Sequence, residues 1–159
     1  MKIEFQYILE DHGWAVAHLS ARDFKTEFDA SFLHDSLSST LQAAITLLTS
    51  NSKVIIPFFS EPGEHQLVIH KIDNHTIELE LRWYDDWTTW NKAGTDDYET
   101  MFKGETTLKS FIFNVYDSAK KILDENGVEG YFKKWRIDFP LDAYKHLERL
   151  KDTSDALKA

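Results

Sequence analysis

The side chains of this sequence that could do chemistry are carboxylates, histidines and large aromatic rings, and carboxylates and aromatic rings occur together most densely between residues 84 and 99. Tyr and Trp dominate the energetics of protein interfaces because they bury much area at little entropic cost. A basic partner side chain could also stack on Trp87 or Trp90. The alternative is that the rings fold down over a sheet edge. We predict a protein-binding site formed by Tyr84, Asp85, Asp86, Trp87, Trp90, Asp96, Asp97, Tyr98 and Glu99.

Catalytic and metal-binding patterns are weaker. The acids between residues 85 and 99 carry oxygens that suit Ca²⁺ or Mg²⁺, but they lack EF-hand spacing, and adjacent carboxylates point to different sides of an extended chain. The seven histidines form neither HxH nor HExxH. The nucleophile elbow GxSxG and the phosphate-binding glycine loops are also absent from the sequence. We therefore expect no catalytic residue, no metal site and no cofactor.

The charge of the chain is unevenly distributed. The net charge of the 159 residues is −9. Residues 1–105 hold 18 acidic and 8 basic residues, whereas residues 106–159 hold 9 acidic and 10 basic ones. Phosphate binding needs clustered Lys and Arg, so the sequence argues against nucleic acid as the main partner. A basic protein fits the acidic part better, and the alternative is that the charge serves only solubility.

Composition also bears on location. The chain has no cysteine, which excludes disulfides and thiolate sites and fits a reducing compartment. Acidic and polar residues interrupt the N-terminal segment MKIEFQYILEDHGW, so it lacks the apolar centre of a signal peptide. Every apolar run is far shorter than the roughly 20 residues of a membrane helix. We expect a cytoplasmic protein that does not bind a membrane.

The elements that position the candidate site follow from hydrophobic periodicity. Alternating patterns predict strands at residues 2–9, 24–32 and 77–84. A short apolar run predicts a strand at residues 54–60, and turn residues predict return strands at residues 14–19 and 66–72. Helical spacing predicts α-helices at residues 33–49, from Thr106 or Thr107 to Gly127, and after Pro140. Ser31 or Asp35 could cap the first of these helices. Residues 85–104 lack periodicity and are predicted to form a long loop.

The predicted order is βββα–βββα–α, with short turns between sequential strands. Such strands pair antiparallel, so we expect an α+β fold with a single antiparallel sheet of about six strands and helices packed on one face. The length fits one domain, which we place at residues 1–152, followed by a frayed tail at residues 153–159. The oligomeric state stays open.

Five segments carry a resemblance to known proteins. They are the strand ending at Trp14, ASFLHDSL at the first helix, the EPGE hairpin, the RWYDDW strand end and GYFKKWRIDFP before the last helix. In this order they resemble segments of uncharacterised bacterial cytosolic proteins that are considered candidate immunity proteins of polymorphic or contact-dependent toxin systems. The resemblance implies a protein that binds and inhibits one toxin. It carries no catalytic residues over to this chain.

Three functions are compatible with the sequence. The first is a non-enzymatic, acidic protein-binding domain that acts as an immunity-type inhibitor of a basic toxin. The second is a small enzyme or ligand-binding domain with a pocket between sheet and helices. The third is a structural or oligomeric accessory protein. The charge asymmetry and the acidic, aromatic segment favour the first.

Overall fold

The computed structural model describes residues 2–158 and contains seven strands and three α-helices. The first sheet has the order β1 (Glu4–Leu9), β2 (Trp14–Ala21), β3 (Phe24–Ser31). The second sheet has the order β4 (Val54–Phe59), β5 (Glu64–Lys71), β6 (Thr76–Tyr84), β7 (Glu99–Thr107). The helices are α1 (Ser36–Thr49) after β3, then α2 (Leu108–Trp135) and α3 (Leu141–Thr153) after β7. None of the helices within residues 2–158 has the length and apolarity needed to cross a membrane.

The α+β class and the antiparallel pairing are confirmed, but the prediction of a single six-stranded sheet is wrong. As predicted, a helix, α1, connects β3 to β4, but these two strands form no ladder, so the strands before and after the helix belong to separate sheets of three and four strands. The seventh strand, β7, lies where the sequence predicted a loop. Most of its residues are exposed, so the sequence of this strand has little of the apolar alternation that reveals a half-buried strand.

The helix ends follow the predicted capping chemistry. Asp35 caps α1, and its carboxylate accepts a hydrogen bond from the backbone N–H of Ser38 at 3.4 Å. Thr107 caps α2 in the same way. Gly127 has a positive φ of 67°, where the sequence placed the end of this helix. Helical structure resumes beyond Gly127 and continues to Trp135, which the sequence did not predict.

The two sheets share one core, and Phe58 of β4 lies where they meet. Its ring centroid is 5.0 Å from that of Phe28 in β3, 6.3 Å from that of Phe5 and 6.5 Å from that of Tyr7 in β1. All four rings are buried, in a continuous cluster that extends to the inner faces of the helices. Pro57, next to this junction, lies on an edge strand as its missing N–H requires.

Polar side chains of α2 cover the free edge of β1. The backbone N–H of Phe5 donates to the Oδ1 of Asn114 at 2.8 Å, and that of Tyr7 donates to the Oγ of Ser118 at 3.1 Å. Residues four apart on a helix lie on one face, and alternate residues of a strand direct their N–H groups to one edge. The helix therefore satisfies donors that the edge would otherwise leave unpaired.

The end of the chain is also folded as far as the structure describes it. After α3, residues Asp155–Leu157 form a 3-10 turn, and Leu157 is buried in the core. The predicted domain began at Met1 and the predicted tail ended at Ala159, and both residues lie outside the described range.

His65 of β5 is enclosed by aromatic rings on the core side of the second sheet. Its ring centroid lies 4.9 Å from that of Phe28 and 4.7 Å from that of Trp83. The Nδ1 atom is buried and has no hydrogen-bond partner among the described residues. Burial lowers the pKa of His65 from the usual 6.5 to about 4, because the charged imidazole cannot be solvated there.

His65 should therefore make stability depend on pH. Above about pH 6.5 both the folded and the unfolded chain hold a neutral imidazole. As the pH falls from about 6.5 to about 4, only the unfolded chain takes up the proton. The free energy of unfolding then drops by about 3 kcal/mol, at roughly 1.4 kcal/mol per pKa unit. Urea unfolding across this pH range measures the loss.

The variant His65→Phe should lose this part of the pH dependence while keeping the ring packing. The matched control is His146→Gln, which changes an exposed histidine of α3 and should leave the dependence unchanged. An unaltered slope in His65→Phe would show that other groups cause the acid sensitivity.

Candidate functional site

Residues 84–99, named here the acidic loop, connect β6 to β7. The two strands pair Trp83 with Glu99, so the loop leaves and returns at adjacent positions of the sheet. The hydroxyl of Tyr84 donates to the backbone carbonyl of Thr95 at 2.7 Å and ties the returning chain to the end of β6. Asp85 and Asp86 follow the end of β6, and Asp96 and Asp97 precede the start of β7.

A buried carboxylate holds the acidic loop against the second sheet. Glu64 at the start of β5 is fully buried, with a relative exposure of 0%. Its Oε1 accepts from the backbone N–H of Thr89 at 3.0 Å, and its Oε2 accepts from the Thr89 hydroxyl at 2.6 Å and from the Nε2 of Gln66 at 2.7 Å. Three donors compensate the desolvation of a charge that makes no ion pair within the described residues.

The aromatic rings of the loop pack on β4. The ring of Trp87 stacks on Phe59 with centroids 5.4 Å apart, and its Nε1 donates to the carbonyl of Ser60 at 2.8 Å. Trp90 meets the edges of both Phe59 and Trp87, at 5.1 and 5.2 Å. The ring of His34 also stacks on Phe59, with centroids 5.5 Å apart. Trp87 is thus half-buried, whereas Trp90 keeps 44% of its surface exposed.

The five acids of the loop face solvent. Three of them use one carboxylate oxygen to fix the loop. Asp85 accepts from the Nε1 of Trp83, Asp86 from the backbone N–H of Trp87, and Asp97 from that of Gly94. Asp96 and Glu99 accept no hydrogen bond from the described residues, and the same part of the chain forms no ion pair with any of the five acids.

The nine predicted site residues thus divide into two groups. Tyr84 is buried, and Trp87 and Tyr98 are half-buried; Tyr98 packs under the guanidinium of Arg82, 4.1 Å from its ring centroid. These rings face the sheet and support the loop from below. The exposed group consists of Asp85, Asp86, Trp90, Asp96, Asp97 and Glu99. Whether this group binds a partner stays a prediction.

The sequence alone does not identify the residues that hold the loop. Its pattern places Glu64 at the end of the EPGE turn, whereas the structure places it at the start of β5. Its side chain is on the same face as Phe59 and Tyr84, its partners in the neighbouring strands. A glutamate whose two cross-strand neighbours are large aromatic residues is expected to be buried and to need hydrogen-bond donors. These neighbours are known only once the strand register is known.

Within residues 2–158, no group of three or more His, Asp or Glu side chains is arranged to hold a metal ion. A comparison of the chain with protein-family models, with curated proteins and with solved structures finds no match in any of the three.

Replacing Glu64 with Gln should loosen the loop. The Gln oxygen can still accept from the Thr89 N–H, but its nitrogen must then donate to the Thr89 hydroxyl and to a flipped Gln66 amide. All three hydrogen bonds also lose the charge that makes them roughly twice as strong as neutral ones. We expect a loss of about 1–3 kcal/mol in the free energy of unfolding. Amide hydrogen exchange should also accelerate at residues 86–95.

The control for this variant is Glu61→Gln, which neutralises an exposed glutamate three residues earlier. It should change neither quantity. Native exchange rates in Glu64→Gln would show that the charge of Glu64 is not needed to hold the loop.

Proposed function

We propose that this chain is a protein-binding domain that recognises a basic protein through the exposed face of the acidic loop, as an immunity-type inhibitor recognises a basic toxin. The observation that carries the proposal is the division of the loop into two sides. Buried Glu64 and the rings hold the loop from beneath, while five carboxylates and Trp90 face solvent.

The charge of this face supports a basic partner. The loop carries five acids and a single base, Lys92. Since no ion pair of the described residues neutralises these acids, their field extends into solvent. Such a field accelerates association with a basic protein and repels acidic ones. A toxin that acts on phosphates needs a basic active site, and carboxylates could occupy it.

The rigidity of the loop supports tight binding. A loop that must become ordered on binding loses part of its interaction free energy to conformational entropy. Here the hydrogen bond from Tyr84, the buried carboxylate of Glu64 and the stacked ring of Trp87 already fix the backbone. The partner therefore meets a surface that is formed before contact.

Trp90 supplies an apolar centre among the charges. Its ring packs T-shaped against Phe59 and Trp87, so its orientation is fixed while almost half of its surface remains accessible. Partly exposed tryptophans surrounded by polar groups are typical of interface hot spots. A cationic side chain of the partner could stack on this ring.

The proposal predicts a partner whose binding depends on charge and on Trp90. The purified chain, immobilised, should capture a basic protein from a lysate of its source organism at about 50 mM salt. With the captured protein purified, the association rate should fall about tenfold or more by 500 mM salt, because salt screens the field. Trp90→Ala should raise the Kd about tenfold or more.

The matched control compares two double variants that each remove two negative charges, the first from the acidic loop and the second from α2. Asp96→Asn with Glu99→Gln removes two loop charges that make no hydrogen bonds with the described residues, and should slow association. Glu125→Gln with Glu129→Gln removes two exposed charges from α2 and should not. Equal effects of the two pairs would refute the assigned surface. If the captured protein is toxic when expressed alone, co-expression of this chain should restore growth.

A further inference from the structure

The edge strand β7 presents a long free edge. It is the last strand of the second sheet and pairs only with β6. Its nine residues are mostly exposed, and Met101 keeps 42% of its surface accessible. In contrast to β1, whose edge is covered by Asn114 and Ser118, β7 receives no side-chain hydrogen bond to its backbone between residues 99 and 106 from the described part of the chain. Such an edge is a template for another strand.

The hydrogen-bond pattern identifies the groups at this edge. The backbone N–H of Leu108 donates to the carbonyl of His75 at 2.8 Å, which continues the register of Thr76 with Thr107. Bonded pairs alternate along an antiparallel ladder, so Gly104 and Thr106 bond to β6. The backbone groups of Lys103 and Glu105 consequently point away from the sheet, toward the free edge.

The opposite side of β6 gives the same assignment. The backbone N–H of Ile72 donates to the carbonyl of Thr76 at 2.9 Å, so Thr76 and Glu78 turn toward β5. Ile77 and Leu79 must then turn toward β7, where their partners are Thr106 and Gly104. The two ladders agree on which residues of β7 are free.

The charges along this edge are incompletely paired. Lys103 Nζ lies 3.7 Å from the Oε1 of Glu78 and keeps more than half of its side chain exposed. Glu105 is opposite Glu78 in the ladder, and like charges at opposite positions repel. Glu105 forms no ion pair with the described residues. A cation supplied from beyond the edge would relieve this repulsion.

We propose that β7 pairs antiparallel with β7 of a second copy of this chain, about a two-fold axis at Gly104. Lys103 then lies opposite Glu105 of the second copy, and the same pair recurs on the other side of the axis. The outward backbone groups of these residues form the new ladder bonds. Two four-stranded sheets become one sheet of eight strands. Gly104, without a side chain, occupies the close, non-bonded position at the axis.

The charges also select the register. Moving the axis by one residue to Lys103 places two lysines opposite each other, and moving it to Glu105 places two glutamates there. Only the Gly104 register, among these three, makes both pairs attractive. A single lysine on an edge strand discourages pairing with another strand. Here Glu105, two residues after Lys103, gives the edge one charge of each sign, so two copies of it can pair with opposite charges facing each other.

Pairing in this register keeps the acidic loops apart. Each loop ends at Glu99, five residues before the axis, so at roughly 3.3 Å per residue the two loop ends lie about 33 Å apart. The dimer contact at residues 103–105 does not overlap the acidic loop. Dimer formation and the binding of a basic protein are therefore separate properties, and each can fail without the other.

Sedimentation equilibrium on the full chain tests the proposal. The native chain of 18.6 kDa should approach about 37 kDa as its concentration rises from about 1 to 500 µM. Lys103→Glu or Glu105→Lys alone makes both cross-strand pairs repulsive and should raise the dimer dissociation constant about tenfold or more. An equimolar mixture of the two variants restores attraction and should form a heterodimer.

The double variant Lys103→Glu with Glu105→Lys should dimerise like the native chain. If Lys103→Glu fails to fold beside Glu78 and Glu80, the Glu105→Lys variant alone still decides. A native chain that stays monomeric throughout the concentration range would overturn the proposal. So would a dimer that both single reversals leave intact, because that dimer would use another surface.

Discussion

The two open sheets have four edge strands, β1, β3, β4 and β7. How each of these edges is covered determines how the sheets and helices pack together. The edge of β1 is covered by Asn114 and Ser118 of α2, which also brings that helix onto the shared core. The adjoining edges at β3 and β4 meet through packed rings around Phe58 instead of through a ladder. The outer edge of β7 receives no side-chain hydrogen bond to its backbone between residues 99 and 106 from the described residues. A shared core therefore coexists with one side that is open to another chain.

The acidic loop depends on the same sheet in a different way. A buried carboxylate is costly unless donors surround it. Gln66 of β5 provides one donor, and Thr89 provides the other two only when the loop is folded down. The stacked rings of Phe59 and Trp87 add an apolar contact at the other side of the loop tip. Polar and apolar contacts thus require one loop conformation. The exposed acids gain their fixed arrangement from groups that no partner would touch.

Much of this fold could be predicted from the sequence because strong periodicity marks half-buried elements. The alternation of β6 and the caps at Asp35 and Thr107 agree with the structure. The pairing of strands that are distant in sequence is less predictable. No local sequence pattern indicates that β3 and β4 belong to different sheets. The strand β7 was missed because an exposed edge strand needs no apolar face. For the loop, composition identified the exposed acids, whereas the anchoring role of Glu64 depends on a register that only the folded sheet defines.

The separation of inward and outward side chains in the acidic loop has an evolutionary consequence. The residues that fix the backbone, such as Glu64 and Trp87, are distinct from Trp90, Asp96 and Glu99, which neither cap nor tether the loop through side-chain hydrogen bonds within the described residues. Substitutions at the outward positions can accumulate without loss of the supporting framework. Related chains could therefore diverge in what they recognise while retaining one scaffold, and new specificities would arise by exchange of a few surface residues.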